Sequence, residues 1–429
     1  MTENKEDILN ITSEAKYINT KIIPDSKFKT AGICLMLRRP LKREEATLNS
    51  VLASVLSSGS MKYPNLYEIN KYMEELFGAV FSGQVVKKGE FQIIRLYMEF
   101  ITVLDEDIMA RAVEFLREIL LNPLVNNNSF DEETLESEKE QLKGIIEERI
   151  NDKNEYARLK CVEKMCADEA FGVYADGYIE DLDKIDGKAL YEHYKNIIKT
   201  TKFEFIATGN IDDEKFGILI EANFKNADFV PIELKVNDIN YKPKALQNYE
   251  EKLEVNQSKI CMGLRANCGF KGKEFQTMLV LNEILGGSGN SKLFMNLREK
   301  DSLCYNIFSF VYRAKAMLMI QCGVENDNVD IAIEKTNEQI ENMKAGNITD
   351  DEISMAKKGL ISHFKGLTDY QGSVLDFYYT QHILGDNSNA TDVMEGIEKV
   401  KINEIVAMAK TLYTDVIYVL KGVENGETA

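Results

Sequence analysis

Three histidines, His193, His363 and His382, are the whole imidazole supply of this 429-residue chain. They are dispersed, and none has a second imidazole at ligand spacing, so each reads as a surface or core residue. The seven cysteines, Cys34, Cys161, Cys166, Cys261, Cys268, Cys304 and Cys322, are an odd number set in mostly apolar sequence. Cys161 and Cys166 are five apart, which is neither a redox nor a zinc C-x-x-C spacing, and the set reads as reduced core thiols. A glycine cluster at Gly286, Gly287 and Gly289 follows a helix and precedes a short helix through Lys300, with an aromatic strand from Tyr305. It lacks the Gly-x-x-x-x-Gly-Lys of a phosphate loop and the third glycine of a dinucleotide fingerprint, so by itself it predicts a tight turn. The basic run Arg38, Arg39, Lys42 and Arg43 predicts a solvated turn after the first strand.

The elements that must position these residues come in a repeated order. Between Glu44 and Leu56 a helix presents Leu48, Val51, Leu52, Val55 and Leu56 as one apolar face, with Ser50, Ala53 and Ser54 on a smaller one. GICLMLRRPLKREEA, an apolar helix and LSSGS in the first half parallel KICMGLRANCGFKGKEF, an apolar helix and LGGSG in the second. Both halves also close with a polar-edged helix and an apolar strand, ending at Gly209 or Gly422. Runs such as GICLML, FEFIATG, LMIQCGV and VIYVLKG predict strands, and caps at Asn65, Ser129 and Thr349 predict helix starts. The helix opened at Ser129 is expected to run to about Cys166, burying Leu135, Leu142, Ile145, Ile146 and Ile150. The expected fold class is α+β: two homologous domains, each a mostly antiparallel sheet with helices packed on one face. The domains are expected at residues 1–227 and 249–429, joined by a proline-bearing linker at 228–248.

The run LGGSGNSKLFMNLREKDSLCY resembles the C-terminal-domain signature of the pitrilysin and insulinase type zinc peptidases, with Arg298 and Tyr305 at its Arg and Tyr places. FGAVFSGQVVKKGE, EILLNP and the ordered duplication extend the resemblance over nearly the whole chain. In that family the first helix carries His-x-x-Glu-His, two imidazoles for zinc and a glutamate base for the bound water. Counting back from Gly59, the corresponding residues here are Ser50, Ala53 and Ser54. A serine hydroxyl is a poor zinc ligand and alanine cannot act as a base, so this chain should hold no metal and not hydrolyse peptides alone. The family's third ligand, a glutamate of the long helix, falls near Ile146, beside Glu147 and Glu148. Arg298 and Tyr305 have two readings: a helix-surface ion pair and a strand aromatic, or, as the resemblance implies, donors to a substrate carbonyl and oxyanion.

A net charge of −18 and a pI near 4.9 exclude a partner held through phosphates, so no nucleic acid and no anionic membrane surface is expected. The N-terminus predicts no signal peptide, and a cytoplasmic location follows from that and from the cysteines. The resemblance implies a non-catalytic, substrate-binding subunit of a heterodimeric bacterial zinc metallopeptidase, with the zinc in a homologous partner subunit and peptide as substrate. More narrowly, the pattern resembles paired peptidase-like proteins associated with aminopentanol modification of elongation factor P. The alternative is a scaffold or peptide-binding pseudo-enzyme, possibly homodimeric, with no proteolysis.

Overall fold

Alternating burial along the strands dictates two sheets, each with one face committed to a helical core. The computed structural model describes residues 9–11, 16–104, 107–225, 228–235, 244–266, 269 and 271–422. Cys268 and part of the 228–248 linker lie outside them.

The first sheet is built from β1 (Leu9–Ile11), β2 (Ile18–Pro24), β3 (Thr30–Pro40), β4 (Val80–Lys88), β5 (Phe91–Ile101) and β6 (Phe203–Gly209), in the order β1-β2-β6-β3-β5-β4. Only β2 with β6 runs parallel. Ile33, Leu35 and Leu37 of β3 and Ile94, Leu96 and Met98 of β5 point to one face. There they meet Leu52, Val55 and Leu56 of α1 (Arg43–Ser58), Met73 of α2 (Leu66–Glu75) and Phe115 and Leu116 of α3 (Ile108–Leu121). Leu135 and Leu142 of α4 (Glu132–Glu148) join the same cluster.

The second sheet comprises β7 (Gln247–Leu253), β8 (Ser258–Arg265), β9 (Cys304–Tyr312), β10 (Met317–Val324) and β11 (Tyr413–Gly422), in the order β9-β10-β8-β11-β7. Read from the other end, this is the order of the first sheet without β1, and again one pair, β7 with β11, is parallel. The duplication read in the sequence is therefore a duplication of topology. The fold class is α+β, mostly antiparallel.

The expectation of helices on one face needs an addition. Two compact units emerge, and each takes in a segment from the other half of the sequence: Glu148–Gly172 in the second, Thr368–Thr380 in the first. In the second unit, Ala157, Cys161, Val162 and Met165 of α5 (Lys153–Met165) cover Cys261, Met317, Met319, Val416 and Tyr418 on the far face of the sheet. In the first unit, Gln371 donates to the Thr30 carbonyl at 2.8 Å and Tyr379 to Glu204 at 2.7 Å.

This exchange explains a second departure. The single helix expected from Ser129 to Cys166 is broken between Glu148 and Lys153, where Asp152 caps α5 through the Asn154 and Glu155 amides. The break marks where the chain passes from one unit to the other. Asp131 rather than Ser129 caps α4, accepting from the Thr134 amide at 2.9 Å, and Ile145 is exposed. Asn65 and Thr349 cap as expected. The basic run is not a solvated turn: Arg38 and Arg39 lie on β3, and Arg39 is buried against Glu45, Thr200 and Thr201. No helix among the described residues is long and apolar enough to cross a membrane.

Candidate functional site

Helix α1 begins after an extended Lys42 and packs so closely on β4 that a side chain at Gly83 would strike the Ser57 hydroxyl. Within it, Ser50 is buried and its hydroxyl donates to the Ala175 carbonyl at 3.0 Å. Gln92 ties the same carbonyl to α1, donating to Ala175 at 2.6 Å and to Ala46 at 2.9 Å. Ala53 is buried, and its carbonyl accepts from the Ser57 hydroxyl at 2.7 Å. Ser54 is half-buried, its carbonyl accepting from Ser58 at 3.0 Å. Two hydroxyls and a methyl offer no imidazole and no base here, and these residues do not fit a zinc ion. Among the described residues no three His, Cys, Asp or Glu side chains converge as a metal-binding group.

The carboxylate that α4 brings to α1 is Glu138, not the region of Ile146. Its Oε1 accepts from the Ser58 hydroxyl at 2.6 Å. Glu138 sits on the buried stripe between Leu135 and Leu142. Extending that stripe by helical periodicity would have found it. His193 reaches α1 elsewhere, its Nε2 lying 2.8 Å from Asn49 Oδ1, and burial pushes its pKa down to about 4. His363 is exposed on α6 (Asp350–Leu367) of the second unit.

In the second unit the glycine cluster closes a π-helical turn, Glu283–Gly287, rather than a simple tight turn. A Cβ at Gly286 would fall 2.6 Å from the Ser309 hydroxyl of β9, so the glycine is a condition of that packing; at Gly289 there is open space. A second π-helical stretch, Phe294–Lys300, carries Arg298 with its guanidinium 4.6 Å from the Phe294 ring. The nearest carboxylate is that of Glu299, 3.9 Å away, and the side chain is 43% exposed.

Tyr305 owes its position to a register shift. Cys304 pairs with Val324 but Asn306 with Gly323, so Tyr305 is the extra residue of a β-bulge on an edge strand, and it stands 54% exposed. Its hydroxyl donates to Glu325, a partner the sequence gave no reason to single out. Beside it, Cys304 and Cys322 share a hydrogen bond; that bond and the Arg298 charge outweigh burial and hold the Cys304 thiol below its ordinary range, while Cys322 is pushed far above it.

Two repeated sheets of this order carry a first helix with Ser50, Ala53 and Ser54 at the places where the resemblance implies zinc ligands and a base. Residues 184–360 match the family model described as the peptidase M16 inactive domain. The probable inactive metalloprotease YmfF of Bacillus subtilis is 27% identical over 414 residues, covering 95% of this chain and 96% of that one. A conserved protein of Enterococcus faecalis V583 superposes with a TM-score of 0.89 at 25% identity, over 98% of this chain and 100% of that structure. The peptidase M16 inactive domain of Pseudomonas fluorescens gives a TM-score of 0.80 at 14% identity, over 98% and 100%, a likeness of fold. The chain is thus a non-catalytic, peptidase-derived protein that resembles the M16 peptidases, the pitrilysin and insulinase type to which its sequence pointed.

Proposed function

We propose that the chain is the substrate-binding, non-catalytic subunit of a heterodimeric zinc metallopeptidase, in which a homologous partner holds the zinc and this chain supplies Arg298 and Tyr305 to the peptide. The observation that carries the reading is the exposure of both side chains at an edge of the second sheet. Exposure leaves both donors within reach of a bound chain. Here the guanidinium has its nearest carboxylate at 3.9 Å, and a bulge turns the phenol outward. Both groups are hydrogen-bond donors suited to a peptide carbonyl and to the oxygen that becomes negative in a tetrahedral intermediate. The edge strand β4, paired on one side only and beside α1, offers an extended peptide a backbone to add to.

Mixing the chain with a His-x-x-Glu-His-bearing partner should give peptide cleavage that neither performs alone. Arg298→Lys keeps charge but loses the planar fork, and Tyr305→Phe loses one hydroxyl. Each should lower turnover about 100- to 1,000-fold with complex formation on gel filtration unchanged. Unchanged turnover in both variants would leave a scaffold. The bond from Tyr305 to Glu325 favours that second reading, a peptide-binding pseudo-enzyme with no proteolysis, because it already occupies the phenol.

A further inference from the structure

A cavity of about 620 Å³ opens in the first unit where the end of α1, the start of α2 and the first turns of α4 meet. Its lining includes Leu66, Tyr67, Leu124 and Glu138. Asp131, Glu133 and Glu138 contribute carboxylates to its lining, and no lysine, arginine or histidine does. Two of these have a local explanation: Asp131 caps α4, and Glu133 lies in its first turn, where negative charge suits the helix dipole.

Glu138 has no such explanation. It lies a turn and a half further on and is only 8% exposed. Its donors, Ser58 Oγ at 2.6 Å and Gln141 Nε2 at a long 3.4 Å, both address Oε1. Ser58 has one proton and also stands 3.0 Å from the Ser54 carbonyl, so even that bond is divided. No ion pair reaches Glu138 among the described residues, and both of its side-chain donors are neutral and share one oxygen. A carboxylate this buried without a cation is costly unless something entering the cavity supplies one. The walls specify the rest of the occupant: Tyr67 and Leu66, 72% and 52% exposed, suit a hydrocarbon stem, and the Tyr67 ring a cation.

We infer that this cavity is a subsite for a basic side chain, a lysine or arginine of a bound peptide, with its stem along Leu66 and Tyr67 and its charge on Glu138. This rests on the reading that the chain binds peptide. The test uses the full chain and a fluorescein-labelled nine-residue alanine-serine peptide with one central lysine, against its norleucine twin, by fluorescence anisotropy at low salt. The lysine peptide should bind at least about tenfold more tightly. Glu138→Gln should bring the ratio near one without weakening the norleucine peptide. Ser137→Lys, an exposed change that places a cation at the cavity wall, should do the same without disturbing the buried carboxylate. Equal binding of the two peptides would overturn the subsite and leave peptide binding standing; binding of neither would overturn the subsite, and turnover of the reconstituted complex would decide the broader reading separately. Zinc chloride binding alone, lost in Glu138→Gln, would also overturn it, because the cation would then be a metal.

Discussion

His193 shows how one buried side chain couples the degenerate helix to pH. Burial is the largest influence on it, with Glu45 raising and Arg39 lowering its pKa against that background, and the result is a value of about 4. The ordinary value is about 6.5, so between these limits the unfolded chain binds a proton the folded chain refuses. Stability contributed by neutral His193 is therefore complete above about pH 6.5 and is lost as pH falls toward 4, at up to about 1.4 kcal/mol per pH unit. Urea midpoints measured from pH 7 to 4.5 should fall more steeply for the native chain than for His193→Gln; parallel slopes would show that the imidazole is not buried neutral. At this scale the replacement of ligands was legible in the sequence, because residue identity decides ligand chemistry. That the Ala175 carbonyl occupies Ser50 was not, since the two are 125 residues apart.

At the scale of elements, α5 is fastened to the second sheet by charge as well as by apolar contact. Arg265 of β8 donates to Asp415 at 2.6 Å, to Glu169 at 2.6 Å and to the Met165 carbonyl at 2.5 Å, and Lys315 reaches Glu169 at 2.6 Å. Both Arg265 and Asp415 are almost wholly buried. Arg265→Met would leave Asp415 as an uncompensated buried charge and should cost about 3–5 kcal/mol by chemical denaturation, whereas adding Asp415→Leu should recover most of it. A single mutant as stable as the native chain would place the pair in water. Strand identities and the Asn65 and Thr349 caps followed from local pattern, which acts over a few residues. The Tyr305 bulge did not, because it is set by pairing with β10 and leaves no mark on alternation.

For the whole molecule, the exchanged segments make a prediction about folding. Residues 1–235 lack the 368–380 segment of the first unit, and residues 236–429 lack the 148–172 segment of the second. Each half expressed alone should expose apolar sheet surface, bind a hydrophobic dye and resist purification as a monomer. The two halves expressed together should co-purify with native circular dichroism. Two independently well-folded halves would show the exchange to be dispensable.

Composition, the order of elements and the missing imidazoles were fixed by the sequence itself, because charge, helical and strand period, and ligand identity are properties of residues and their near neighbours. The α+β class and the duplication follow from those, and the non-catalytic character from the family resemblance that says where ligands should stand. The tertiary structure alone decided which segment covers which sheet, which carboxylate α4 brings to α1 and how Tyr305 faces outward. Each of these depends on contacts between residues far apart in the chain, where burial and register are settled by the sum of packing and no short stretch of sequence carries the answer.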